Sequence, residues 1–241
     1  MRDFSLRDKL GTASACGEKA GAIIDECREL FEQLTIFSLE LMQFDKEGKM
    51  LKEAVDTFER RSCFEEDNSA SAVILMHWLH LDYRFGQMKE TVCERFMKEY
   101  VFRKLAPQKQ AIVRKMAESY AGFYEVVDVL NDKIIFKELL GGKKWFIHKI
   151  NRPFEKDAVI KDIWYVRFVG SHEDACIYPP PFIFPSRFKQ TFVKAMEKQK
   201  KLVIRLHKNE ILSDEEILRE SYKKMLAMWG IDGPEQRAAE A

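Results

Sequence analysis

The chain has 241 residues, of which 46% are hydrophobic and 33% are charged, a composition typical of a globular protein that can bury a sizeable core. Its 40 basic and 39 acidic residues leave a net charge of +1, which excludes a global field that would attract nucleic acid or an anionic membrane. The N-terminus lacks the apolar segment of a signal peptide, and the longest apolar run, Ala72 to Leu81, is too short to cross a bilayer. We therefore expect a cytoplasmic protein without membrane association, in which any charge-driven partner binds a local patch.

Residues 1–121 are predicted to form a helical layer. Met1 to Gly17 reads as a loose arm, because Gly11 and Gly17 interrupt it. Apolar residues at every third or fourth position then predict one long amphipathic helix from Glu18 to Phe44. Further helices are predicted over residues 51–61, 70–85, 91–103 and 107–120. The helix over 70–85 is apolar nearly all round, which predicts a buried position.

Residues 122–185 are predicted to form a small antiparallel sheet or barrel. Short β-branched and aromatic segments alternate here with turn signals such as Asn131-Asp132 and Gly141-Gly142. Strands are predicted over 123–129, 133–137, 145–150, 158–160, 163–169 and 176–184. The last is an edge strand or extended loop, because its three prolines cannot donate ladder hydrogen bonds. Strand aromatics must partly fill the interior, and the alternative is that they stack on single-stranded bases; they are Trp145, Phe146, Trp164 and Tyr165.

The remaining residues are predicted to be helical over 186–230, with a flexible tail over 231–241. A basic stripe with spacings of three or four residues lies opposite an apolar one; it consists of Lys194, Lys198, Lys201, Arg205 and Lys208. This stripe could bind a protein partner or the phosphates of RNA, and the competing interpretation is a solvated helix face. Ser213 and Glu216 form a capping box that opens a last helix, which Gly230 ends. The fold class is therefore α+β.

Clusters of potential metal ligands are few. His77 and His80 share one helix face and could bind a metal if a third ligand came near, although two structural histidines are the competing interpretation. An acidic triplet over 65–67 and a loop with His172, Glu173 and Asp174 offer carboxylates, and both read equally as solvated segments.

The chain shows neither a disulfide framework nor a known catalytic motif. Its five cysteines are widely spaced and odd in number, and Cys27 and Cys93 fall among apolar residues, which predicts buried thiols. Phosphate-binding loops, nucleophile elbows and kinase signatures are absent from the sequence. We predict no cofactor, no metal site and no catalytic residue.

Several short motifs follow one another in order between residues 70 and 185. They are Trp78-Leu79-His80-Leu81-Asp82, Gly86, Thr91, Phe96, Leu105, Tyr120 to Val129, Glu138-Leu139-Leu140-Gly141-Gly142 and Asp162-Ile163-Trp164-Tyr165-Val166-Arg167. In this order they resemble the body of the poorly characterised bacterial proteins that often carry a SEC-C zinc motif. The resemblance implies a fold and a bacterial cytoplasmic origin. It implies no adaptor role, because the cysteine-rich motif is absent, and Glu138 and Lys161 replace the Asp and Gly of the pattern.

Two hypotheses of function follow. The first is a non-enzymatic interaction module that binds a protein or RNA partner through the rim of the barrel and the basic stripe. The second is a metal-dependent hydrolase that uses histidines and carboxylates near His77, His80 or His172. We favour the first. The sequence leaves the partner and the oligomeric state open.

Overall fold

The structure is a computed structural model that describes residues 6–61, 69–150, 152–156, 158–170, 175–208, 211–214, 216–218 and 220–221. It confirms the α+β class: helices come first, a curled antiparallel half-barrel sheet follows, and a C-terminal helix packs against it. No helix within these ranges is long and apolar enough to span a membrane. The predicted flexible tail, the acidic triplet and the His172 loop lie outside the described residues.

In the described part of the chain before the sheet there are six helices: α1 (Leu6–Phe44), α2 (Gly48–Arg61), α3 (Ser69–Leu81), α4 (Val92–Phe96), α5 (Tyr100–Lys104) and α6 (Pro107–Glu118). The predicted loose arm is wrong, because α1 already begins at Leu6 and continues through Gly11 and Gly17; single glycines weaken a helix without ending it. The helix predicted over 91–103 is two helices. The chain leaves helical geometry at Glu99, whose ψ is 155°, and neither Gly nor Pro marks that break.

The sheet contains β1 (Ala121–Val129), β2 (Lys133–Glu138), β3 (Lys144–His148), β4 (Ile163–Val169), β5 (Cys176–Ile177) and β6 (Phe182–Phe184). Its order is β3-β2-β1-β4-β5, with β6 also paired to β4, and every pairing is antiparallel. The strand predicted over 158–160 is wrong. A short helix, α7 (Pro153–Lys156), comes first, and Val159 and Ile160 then lie exposed in a turn that Lys161 completes with a φ of 78°.

Both faces of the central strand β4 are covered, so all seven of its residues are buried. Side chains of successive strand residues point to opposite faces. Trp164 packs inside the half-barrel, with its ring 5.2 Å from that of Phe136. Tyr165 lies on the other face with Phe123, which stacks on Phe192 of helix α8 (Lys189–Leu206) at 4.5 Å. Trp164 and Tyr165 are therefore core residues, as is Trp145, and none of the three can stack on bases.

Helices α1 and α2 approach each other closely where Gly48 faces the backbone of Leu41. A Cβ atom on Gly48 would overlap the backbone carbonyl of Leu41, and backbone cannot move aside as a flexible side chain can. We expect Gly48→Ala to lower the free energy of unfolding by about 1–3 kcal/mol, measured by urea denaturation. Gly21→Ala is the control. That position in α1 has open space, so alanine should stabilise the helix by about 0.5–1 kcal/mol. An unchanged stability of Gly48→Ala would contradict the close approach.

Candidate functional site

Four of the five predicted basic residues lie on α8, on the side that faces solvent. Phe192, Met196, Gln199 and Val203 form the buried side of this helix. At about 100° per residue, the four cations fall within a sector of roughly 60° that lies opposite the buried side. They are Lys194, Lys198, Lys201 and Arg205, and the fifth, Lys208, is exposed in the turn that follows. We call these five residues the basic face.

The surroundings of the basic face combine charge with exposed aliphatic surface. A shallow groove of about 480 Å³ runs between its side chains and is also lined by Glu197 and Leu202. Leu202 is 40% exposed and Leu206 60%, so aliphatic side chains flank the cations. None of the five cations forms an ion pair with another described residue. Like charges at i, i+3 and i, i+4 repel each other, and an anionic partner would relieve that repulsion.

The two candidate metal-binding histidines have separate structural roles. Nε2 of His80 lies 3.0 Å from Oγ of Ser38, which itself donates to the Thr35 carbonyl at 2.8 Å. The serine proton is thus engaged, so Nε2–H of His80 is the donor to Ser38. Burial lowers the pKa of His80 to about 3. His77 stacks on Phe31 with ring centroids 3.9 Å apart, and burial, followed by the nearby Arg167 charge, lowers its pKa as well. Both imidazoles are neutral at pH 7.

Within the described parts of the chain, no group of three or more His, Cys, Asp or Glu side chains could hold a metal ion. The histidines His77 and His80 therefore have no third ligand there, and the hydrolase hypothesis gains no support from them.

A buried ion pair that sequence reasoning missed joins the helical layer to the sheet. Asp82, directly after α3, accepts a hydrogen bond from Nη2 of Arg167 on β4, and the two side chains are 3% and 1% exposed. Nη1 of Arg167 also donates to the carbonyl of Ser119 at 2.9 Å and to its hydroxyl at 3.2 Å. One guanidinium thus connects α3, the end of α6 and β4. Both charged residues belong to the motifs of the SEC-C resemblance, but 85 positions separate them and no spacing rule pairs them.

The predicted burial of cysteines is confirmed. Cys27 and Cys93 are buried, and so is Cys176. Burial raises the pKa of Cys93 to about 12. A hydrogen bond with the Cys176 thiol, together with burial, raises the pKa of Cys27. Cys27 and Cys93 are thus protonated thiols in the core, not exposed nucleophiles. The same hydrogen bond, with Cys27, lowers the pKa of the buried Cys176 thiol.

Comparison with protein-family models, curated proteins and solved structures found no match. The resemblance to SEC-C-containing proteins stays a prediction.

Proposed function

We propose that this protein is a non-enzymatic interaction module whose basic face binds an acidic segment of a partner protein. One observation carries the proposal: four cations occupy a single sector of α8, directly opposite its buried side, without a carboxylate partner among the described residues. At a rise of about 1.5 Å per residue, the four charges extend along about 16 Å of helix. They are therefore aligned before an acidic partner binds.

Exposed aliphatic side chains favour a protein partner over RNA. Leu202 and Leu206 lie beside the cations, and an acidic amphipathic helix could cover them with its own apolar residues while its carboxylates meet the lysines. Single-stranded RNA binds best where aromatic side chains stack on its bases. The α8 segment after Phe192 contains no aromatic residue. Of the four strand aromatics, Trp145, Trp164 and Tyr165 are buried and Phe146 is half-buried. We also propose a cytoplasmic location, because the cysteines Cys27, Cys93 and Cys176 are free thiols.

The test uses two labelled probes: an acidic amphipathic peptide of alternating Leu and Glu turns, and a single-stranded oligouridine. Binding is measured by fluorescence anisotropy. We expect the peptide to bind more tightly than the oligonucleotide, and its affinity to fall as salt screens the charges. The triple variant Lys194→Glu, Lys198→Glu, Lys201→Glu should bind the peptide at least about tenfold more weakly, because repulsion replaces attraction at three positions.

The matched control reverses three exposed lysines elsewhere, with the same change in net charge: Lys49→Glu, Lys52→Glu and Lys144→Glu. It should leave the affinity within about twofold, since none of these three lysines lies on α8 or lines its groove. Equal losses in both variants would show that net charge alone drives binding and would contradict the proposal. Tighter binding of oligouridine, lost in the α8 variant, would replace the protein partner with RNA.

A further inference from the structure

A second surface feature lies away from α8. A cleft of about 720 Å³ opens between α1, α3, the start of α7 and the residues that follow β5. Sites for small molecules have volumes of about 300–1,000 Å³. Four segments that are distant in sequence therefore meet in a cavity of suitable size for one small organic ligand.

The walls of the cleft are mainly apolar. Phe31 of α1 and Phe154 of α7 contribute aromatic rings, Val73 and Met76 of α3 contribute aliphatic surface, and Pro179 closes one side. Val73 is 38% exposed, so this apolar lining is accessible from solvent. Such walls favour a ligand with a flat apolar body.

Among the described residues that line the cleft, two are arginines, Arg28 and Arg152, and none is Asp or Glu. Arg152 lies over the Phe154 ring, 5.6 Å from its centroid. Its Nη1 donates a hydrogen bond to the Ile177 carbonyl at 3.3 Å. Arg28 forms a 3.5 Å pair with Asp25 in which both side chains are more than 60% exposed, and pairs of that kind are weak. Guanidinium donors thus remain for an anion, which they can bind in bidentate geometry.

Two neutral polar groups complete the lining. Nδ1 of His77 is buried and makes no hydrogen bond with a described residue, and a buried polar atom without a partner is costly. Tyr178 packs edge-on against the His77 ring at 5.2 Å. Burial, followed by the neighbouring Cys27, raises the pKa of Tyr178 to about 12, so its hydroxyl is a donor at neutral pH. Both groups can fix the orientation of a ligand.

We infer that this cleft binds a small organic anion, with a flat apolar ring against Phe31 and Phe154 and a carboxylate or phosphate held by Arg28 and Arg152. This site is separate from the basic face and does not depend on the proposed function. The arginines recognise the charge, and the aromatic walls recognise the ring.

Isothermal titration with three probes tests the inference: 1-naphthoate as a ring carboxylate, adenosine monophosphate as a ring phosphate, and 1-naphthalenemethanol as a neutral analogue. We expect at least one anion to bind, and the neutral alcohol to bind at least about tenfold more weakly than naphthoate if the carboxylate is the preferred group. Preference for one anion identifies the acidic group of the natural ligand.

Variants locate the binding. We expect each of two variants, Arg28→Gln and Arg152→Gln, to bind the anion at least about fivefold more weakly than the wild type. Arg28 is exposed enough that its replacement does not threaten folding. Arg187→Gln is the matched control, because Arg187 also lies over a ring, that of Phe188 at 5.1 Å, but does not line the cleft. The Arg187→Gln variant should bind the anion with the same affinity as the wild type.

A cleft-filling variant keeps the charges and removes the space. Val73→Trp places a bulky ring on the α3 wall at a partly exposed position and should abolish binding of the anion. Failure of both anions to bind wild-type protein would overturn the inference. So would full affinity in the two arginine variants and in Val73→Trp.

Discussion

Replacing Asp82 with Asn is expected to lower the free energy of unfolding by about 3–5 kcal/mol. The Asp82 carboxylate and the Arg167 guanidinium are both almost completely buried. Without the carboxylate, Arg167 keeps its positive charge in the core, and its bonds to Ser119 cannot offset the lost counter-ion. Urea denaturation at pH 7 measures the change, with the midpoint and the slope fitted separately.

Two further variants show whether burial causes the loss. Asp25→Asn removes a pair whose side chains are exposed and should cost less than about 1 kcal/mol. The double variant Asp82→Leu, Arg167→Met replaces both charges with apolar groups and should recover most of the stability. If Asp82→Asn costs no more than Asp25→Asn, the buried pair does not hold α3 to the sheet.

Stability is expected to fall steeply as the pH drops from 7 to 5. His80 has a pKa of about 3 in the folded protein, against about 6.5 in an unfolded chain. Below about pH 6.5 the His80 imidazole is therefore protonated in the unfolded state but stays neutral in the folded state. The free energy of unfolding decreases as the pH falls. For His80 this amounts to about 2 kcal/mol between pH 7 and pH 5. His77, whose pKa burial lowers well below its usual range, acts in the same direction.

The pH window separates the histidines from the carboxylates. The backbone N–H of Gln87 lowers the pKa of Glu47, so the contribution of that carboxyl is lost only as the pH falls below about 4.5. Urea denaturation at pH 7, 6 and 5 should therefore report the histidines. His80→Gln should reduce the loss of stability between pH 7 and pH 5 by about 2 kcal/mol. A wild-type stability that is flat over this range would contradict the buried neutral state.

Local patterns predicted most of the sheet, because strand signals are local. The turn residues Asn131-Asp132 and Gly141-Gly142 separate β1, β2 and β3 where expected. The run from Ile163 to Val169 is apolar apart from Arg167, as is typical of a strand covered on both faces. The charge inside that run was a sign of a buried ion pair, but its partner lies on another element. A pairing between residues so far apart in sequence is visible only in the three-dimensional structure.

The basic face could be predicted from local sequence, whereas the cleft could not. Helical periodicity alone placed Lys194, Lys198 and Lys201 on one side of α8, and all three are exposed. The cleft was not predicted, because Arg28 and Arg152 belong to different elements and neither stands in a recognisable motif. Phe31 belongs to the apolar positions that predicted the long first helix, so it indicated core packing rather than a ligand site.

Lysine footprinting in the presence of the acidic amphipathic peptide examines the proposed partner surface residue by residue. The protein is acetylated briefly with and without peptide, and the modification of each lysine is quantified by mass spectrometry. Binding through the basic face predicts that Lys194, Lys198 and Lys201 become at least about threefold less reactive, while Lys49, Lys52 and Lys144 react as before. Protection of the second group, or unchanged reactivity of the first with peptide bound, would contradict binding at α8.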